Sequence, residues 1–210
     1  DYNQDADDLG IPESGNKIPD LLDEAKYELD WMLKMQNAEN GGVYHKVTAL
    51  VFPETVLAVE ETDDMVLAPI SYAATGDFAA VMAKASVLYA DYDADFAKTC
   101  LDAAQKAYAF MEANPDMKGY ENPEDLVTGA YDDTHLADET LWASAEMYIA
   151  TKDAKYLTAT KTALDSNYLT GFGWADIGSY ALYDLAKTEG VDADVAKTAK
   201  EKLLADADET

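Results

Sequence analysis

Asp132, Asp133, Asp138, Glu139 and Asp176 are the residues whose types and spacing most invite chemistry. The first two sit in a stretch rich in glycine, proline, asparagine and aspartate. Asp138 and Glu139 open a helical pattern, and Asp176 follows Trp174. Calcium takes several hard oxygens from a flexible loop and its neighbouring carboxylates, so these five form the best metal constellation in the chain. They equally suit the first turns of helices in a very acidic protein, and both readings stand. Tyr131 and Trp174 offer a second chemistry. Each follows a glycine-containing turn, Gly129-Ala130 and Gly171-Phe172-Gly173. A flat ring at a loop end can stack on the apolar face of a ligand, and tyrosine adds a hydroxyl for hydrogen bonding. An aromatic packed in the core at a helix start is the alternative.

Other chemistries find no support. One cysteine and two distant histidines, His45 and His135, cannot supply a zinc site. Cys100 falls in an apolar helical run with Phe96, Leu101 and Ala104, which predicts a buried, inert thiol. The glycines at 171, 173 and 178 read as a turn and not as a phosphate cradle. The net charge is −27, and all fifteen basic residues are lysine. Such a chain repels phosphate backbones and anionic lipid surfaces, so neither nucleic acid nor membrane is expected as a partner. No apolar run approaches the about twenty residues needed to span a bilayer.

The elements that must position these residues are helical. Apolar residues recur at three and four over 18–36, where Pro19 fits a first helical turn and Asp20, Asp23 and Glu24 favour its positive end. Further helices are predicted over 73–90, 93–114, 138–150, 153–166, 174–188 and 192–205. Residues 1–10 read as an extended lead-in. Val43 to Thr48 reads as a short strand or hairpin, and 37–70 and 115–136 as long loops of the kind that carry function. Tyr89 to Phe96, Tyr148 to Tyr156 and Leu185 to Val195 repeat one pattern: a helix end, a short turn, an Asp N-cap, and an apolar anchor. Repeated antiparallel hairpins with long loops at their ends predict a closed helical toroid with a loop-built working face.

Several strings are more specific than periodicity. Ile11-Pro-Glu-Ser-Gly-Asn16, Pro19 to Ala25, Trp31 to Gln36, Gly41 to Thr48, Ala74 to Met82, Asp138 to Glu146, Ala150 to Asp153 and Phe172-Gly-Trp174 occur in this order. In sequence and order they resemble segments of family 9 glycoside hydrolases, the cellulase family. The resemblance runs from Ile11 to about Leu185. It implies an all-α fold, the (α/α)6 barrel of twelve helices in two rings, of which this chain carries about half as part of a single domain. It implies a secreted endo-β-1,4-glucanase acting on β-1,4-glucan. It places His45 at a cleft position that contacts sugar, where composition alone offers only a surface or structural histidine. It makes Tyr131 and Trp174 sugar-stacking residues, and it likens Asp138-Glu139 to a segment that binds structural calcium in some members.

The family hydrolyses with inversion. A base activates water while an acid, roughly 6.5–9.5 Å away, protonates the leaving oxygen. In the family the base lies in an Asp-Ala-Gly-Asp motif upstream of the Ile11 segment, and the acid in an Asn-Glu-Val-type motif near the far end. Neither motif occurs here, and Asp5-Ala-Asp-Asp8 lacks the glycine and lies too close to Ile11. The expectation is therefore an internal piece without its own catalytic residues, inactive alone. Half a ring exposes apolar helix faces at roughly 25 cal/mol per Å2, so association with the remainder of the domain or with another copy is expected. A non-catalytic sugar-binding module on the same scaffold is the alternative.

Overall fold

The computed structural model describes residues 5–209. Seven helices account for most of the described residues. They are α1 (Asp20–Met32), α2 (Tyr72–Leu88), α3 (Ala94–Ala113), α4 (Ala137–Thr151), α5 (Ala154–Leu164), α6 (Gly178–Lys187) and α7 (Ala193–Glu209). A 3-10 turn, Leu33–Met35, extends α1. No helix among the described residues is long and apolar enough to cross a membrane.

The helices form two rows. α2 packs against both α3 and α4, α4 against both α5 and α6, and α6 against α7. So α2, α4 and α6 make an inner row, each followed by an outer partner. Inner helices are covered from more than one side, and their sequences show it. Every residue of α4 from Ala143 to Ile149 is buried, as are Ala79, Ala80, Met82 and Ala83 of α2. Alanines at these positions let the helix axes approach. At the tightest point a side-chain carbon on Gly76 would stand 2.6 Å from the Glu139 Cβ, so only glycine fits. Phe78, Leu141, Met147, Leu182 and Leu185 fill the space between the rows, each contributing about 1.5–3 kcal/mol on burial. Three hairpins are half of six, as the resemblance implied.

The hairpin turns obey the repeated motif. The Asp93 carboxylate accepts the Phe96 N–H, Asp153 accepts that of Lys155, and Asp192 accepts that of Val195. The anchors Phe96, Tyr156 and Val195 are all buried. Lys152 closes α4 in the left-handed region at φ 56°.

Three expectations need correction. Residues 1–4 lie outside the described residues, but 5–10 are not extended. Asp7 accepts the N–H groups of Gly15 and Lys17, and the buried Asp20 carboxylate accepts the Leu9 N–H and the Ser14 hydroxyl. Pinned carboxylates thus fold the Ile11–Asn16 turn onto the start of α1. Secondly, Val43 to Thr48 supplies short strands, as one of the two readings had it, but makes no hairpin with itself. β1 (Val43–Tyr44) pairs antiparallel with β4 (Ile70–Ser71), and β2 (Val47–Thr48) with β3 (Val66–Leu67). Thirdly, α6 starts at Gly178 instead of 174. The Asp138 carboxylate takes the Ile177 N–H, and Gly178 donates to the Leu169 carbonyl, holding 169–177 in an irregular turn.

Candidate functional site

The working face lies where the two ribbons meet the N-terminal end of α2. His45 and Lys46 join β1 to β2 opposite Pro69 and Ala68: the His45 N–H donates to the Pro69 carbonyl and the Ala68 N–H to that of Lys46, while proline, with no N–H, returns no bond. The register sets Ser71 across from Val43, beside the His45 ring.

His45 is fully engaged. Its Nε2 is 3.0 Å from the Tyr131 carbonyl, which can only accept, so Nε2 carries the proton. Its Nδ1 is 2.9 Å from the Ser71 hydroxyl, which accepts the Ala74 N–H as the α2 cap and gives its own proton to the ring. Burial lowers the His45 pKa, with nearby Lys46 acting in the same direction, which favours the neutral ring. The imidazole also stacks on Tyr120 at 3.6 Å, 12° from parallel.

The loop 115–136 is held in a compact form. A side chain at Gly119 would meet the Asp133 carbonyl at 2.1 Å, and the Tyr120 N–H donates to that carbonyl. Asn122 receives the Tyr120 hydroxyl proton and donates to the Thr128 carbonyl. The Lys46 ammonium donates to the Gly129 carbonyl and to the Thr128 hydroxyl oxygen. Tyr131 then adopts φ 51°, a conformation costing a non-glycine residue about 1–3 kcal/mol that surrounding contacts must offset. Its ring meets Trp174 edge-on at 5.9 Å. The two rings are 62% and 65% exposed, so they are not the core aromatics of the alternative reading.

Tyr131 and Trp174 border a hollow with His45, Lys46, Ala73, Ala74, Asp77 and Asp133. A second hollow shares His45, Ala74 and Asp77 and runs on to Trp31, Tyr44 and Met35. Together they make a groove across the start of α2. Trp31 is 43% exposed on this groove, while Trp142 stacks on Tyr180 as an inter-helix contact. His135 is exposed in its loop.

The acids divide. Asp133, Asp138 and Glu139 are buried, and half-buried Asp77 of α2 turns an enclosed Oδ1 towards them; Asp132 and Asp176 are exposed. Asp133 accepts the His135 N–H and Asp138 accepts that of Ile177. Asp77 Oδ1, Asp138 Oδ1 and Glu139 Oε2 are buried without a hydrogen-bond partner. Burial, then the charges of Asp133 and Asp138, pushes the Asp77 carboxyl up to about 7. Burial, then Asp138 and Asp77, raises Glu139 well above the usual carboxylate range, and burial also raises Asp138. Unpaired hard oxygens suit a divalent cation in chemistry. Among the described residues, however, no three Asp, Glu, His or Cys groups already stand in metal-holding geometry. Asp77 was not expected from the sequence. Its only signal is a carboxylate inside the apolar run Ala73 to Met82.

The glycosyl hydrolase family 9 model matches residues 4–209. A xyloglucan-specific endo-β-1,4-glucanase of Bacteroides ovatus is 40% identical over 184 residues, covering 83% of this chain and 31% of that protein. Endoglucanase D of Acetivibrio thermocellus is 36% identical over 206 residues, 95% of this chain and 33% of that protein. Among solved structures, a family 9 protein of Bacteroides ovatus superposes with a TM-score of 0.87 at 36% identity, covering 96% of this chain and 39% of the other. An endoglucanase of Alicyclobacillus acidocaldarius gives 0.85 at 38%, covering 91% and 36%. The chain thus spans about a third of the length of the curated relatives it matches. Two rows of helices in hairpin order, the Ile11–Asn16 turn pinned by Asp20, and a match over nearly every residue agree: the chain belongs to glycosyl hydrolase family 9.

Proposed function

We propose that this chain is the substrate-gripping sector of an endo-β-1,4-glucanase catalytic domain. The observation that carries the reading is the exposed Tyr131–Trp174 pair at the rim of a groove lined by acids. A glucose unit has apolar faces that a flat ring can cover and hydroxyls that carboxylates and tyrosine can bind. Relatives named as endoglucanases and a structural neighbour solved with a cellobiose-like isofagomine support β-1,4-glucan as the ligand class. Because this polymer lies outside cells, the enzyme would be secreted.

Inverting hydrolysis would use a base and an acid contributed by the remainder of the domain, since neither family motif occurs within these residues. This sector's own share is to bind and orient the glucan, through Tyr131 and Trp174 with His45 lining the same groove. Exposed Leu21 and Tyr27 on α1 support contact with those further sectors or with another copy. A structural calcium ion would be held by Asp138 and Glu139, with Asp133, Asp132 and Asp176 nearest in the surrounding loops. It would neutralise the carboxylates and tie the loop before α4 to the turn before α6. The test is hydrolysis of a soluble cellulose derivative. Residues 1–210 alone should be inactive, and a longer chain carrying both motifs should be active. Hydrolysis by residues 1–210 alone would refute the placement of acid and base.

A second reading keeps the groove and drops the chemistry, favoured by the presence of the aromatic pair beside the absence of both motifs. Tight cellotetraose binding by residues 1–210, lost in Trp174→Ala, together with an inactive longer chain, would select it.

A further inference from the structure

The role of His45 in this groove is set by where its ring nitrogens point. Both are consumed within the protein, Nε2–H by the Tyr131 carbonyl and Nδ1 by the Ser71 hydroxyl. One face of the ring is covered by Tyr120. No nitrogen remains to bind a sugar hydroxyl. The next residue, Lys46, makes a parallel choice. Its ammonium reaches back to the Gly129 carbonyl and lies 5.8 Å from the centre of the Tyr131 ring.

We infer that His45 and Lys46 form a clamp that captures two carbonyls of the 128–131 turn and so fixes Tyr131 against Trp174. They are positioning residues. This rests on the reading of Tyr131 and Trp174 as the glucan-stacking pair, and it changes what His45 does for that pair. Three facts converge on it. Tyr131 holds φ 51°, which its own chemistry disfavours and an external hold must maintain. The turn carbonyls that could be solvated are instead bonded to two consecutive residues that join β1 to β2. That segment is anchored independently, with Ser71 both capping α2 and fixing the His45 ring. The clamp therefore refers the aromatic pair to the most buried helix-packed part of the chain.

Two measurements on the full 210-residue chain test it. The first needs no sugar. Long-range nitrogen-coupled NMR of His45 should show the Nε2–H form, and ring-to-ring NOEs should connect Tyr131 with Trp174. His45→Phe keeps a ring to lie on Tyr120 but removes both hydrogen bonds. It should abolish those NOEs, as should Lys46→Met, while NOEs between α2 and α4 persist in both. Retention of the Tyr131–Trp174 NOEs in both variants would overturn the clamp. The second is a double-mutant cycle with cellotetraose as probe. His45→Phe should weaken binding by the same factor as Tyr131→Ala, roughly tenfold, and the double variant should be no weaker than either. Factors that multiply would mean that His45 contacts sugar itself, and the clamp would be wrong. If wild type binds no cellotetraose, the stacking reading fails, and the NMR result still decides the clamp.

Discussion

Gly76 and Glu139 face each other across the α2–α4 crossing so closely that a methyl group at 76 would stand 2.6 Å from the Glu139 Cβ. That contact sets the spacing of the inner row and places Glu139 among the buried acids. Gly76→Ala should destabilise the protein. Helix propensity gains up to about 1 kcal/mol, but forced separation of two packed helices costs about 1–3 kcal/mol. Urea unfolding should show a lower midpoint. An unchanged or raised midpoint would mean that the helices slide apart without cost.

Stability should fall as pH rises through neutrality in metal-free buffer. Asp77 is pushed up to about 7 and Glu139 is raised further, both chiefly by burial. A carboxyl with a raised folded pKa keeps its proton in the folded state while the unfolded chain loses it. Its stabilising share is full below the unfolded pKa and disappears as pH climbs through the folded value. For Asp77 the slope should approach about 1.4 kcal/mol per pH unit between about pH 5 and about pH 7 and then vanish, while that of Glu139 continues above neutrality. Asp7 and Asp192, lowered by hydrogen bonds, act in more acidic solution and leave this window unaffected. Asp77→Asn should remove the portion of the slope that ends near neutrality. A flat profile in EDTA would show that these carboxyls are not protonated on folding.

Calcium should reverse that profile. Binding needs deprotonated carboxylates, so the gain in stability should be greater at pH 8 than at pH 5. At a hundred times the dissociation constant the gain is about 2.7 kcal/mol, and EDTA should abolish it. Asp138→Asn should abolish it too, because Asp138 Oδ1 is a buried carboxylate oxygen with no hydrogen-bond partner, and the amide removes the charge that a cation needs. Absence of any calcium shift at pH 8 would leave protons as the only neutralising agents of the cluster.

Asp153→Ala should lower stability by about 0.5–2 kcal/mol through loss of the bond from the Lys155 N–H, with circular dichroism and urea unfolding as the measure. This cap was legible in the sequence, as were those of Asp93 and Asp192. A cap is a contact between residues two or three apart, so local chemistry decides it. The hairpin order was legible for the same reason. The ribbons were not, because Val43 finds Ser71 and Val47 finds Leu67 across intervening loop, and no local string specifies such pairs. The late start of α6 was hidden because Asp138, thirty-nine positions away, captures the Ile177 N–H. Asp77 was hidden in an apolar run whose other residues are simply packing. Tyr131 and Trp174 were legible as loop-end aromatics, yet their edge-on contact depends on how His45 and Lys46 hold the intervening turn.

The aromatic pair should separate binding from folding. Tyr131 and Trp174 are mostly solvent-exposed, so truncating either removes little buried apolar area and should shift the unfolding midpoint only slightly. Stacking on a sugar face uses the area that is now open to water, so the same truncations should be expensive for a ligand. Trp174→Ala should weaken cellotetraose binding by about tenfold or more, equivalent to about 1.4 kcal/mol. Tyr131→Phe should lose less, since it keeps the ring and the Trp174 contact and removes only the hydroxyl. Isothermal titration calorimetry, paired with urea unfolding of each variant, separates the two effects. Equal affinity in wild type and Trp174→Ala would place the glucan elsewhere on the groove, along the Trp31 and Tyr44 end that shares Asp77 and Ala74 with this one.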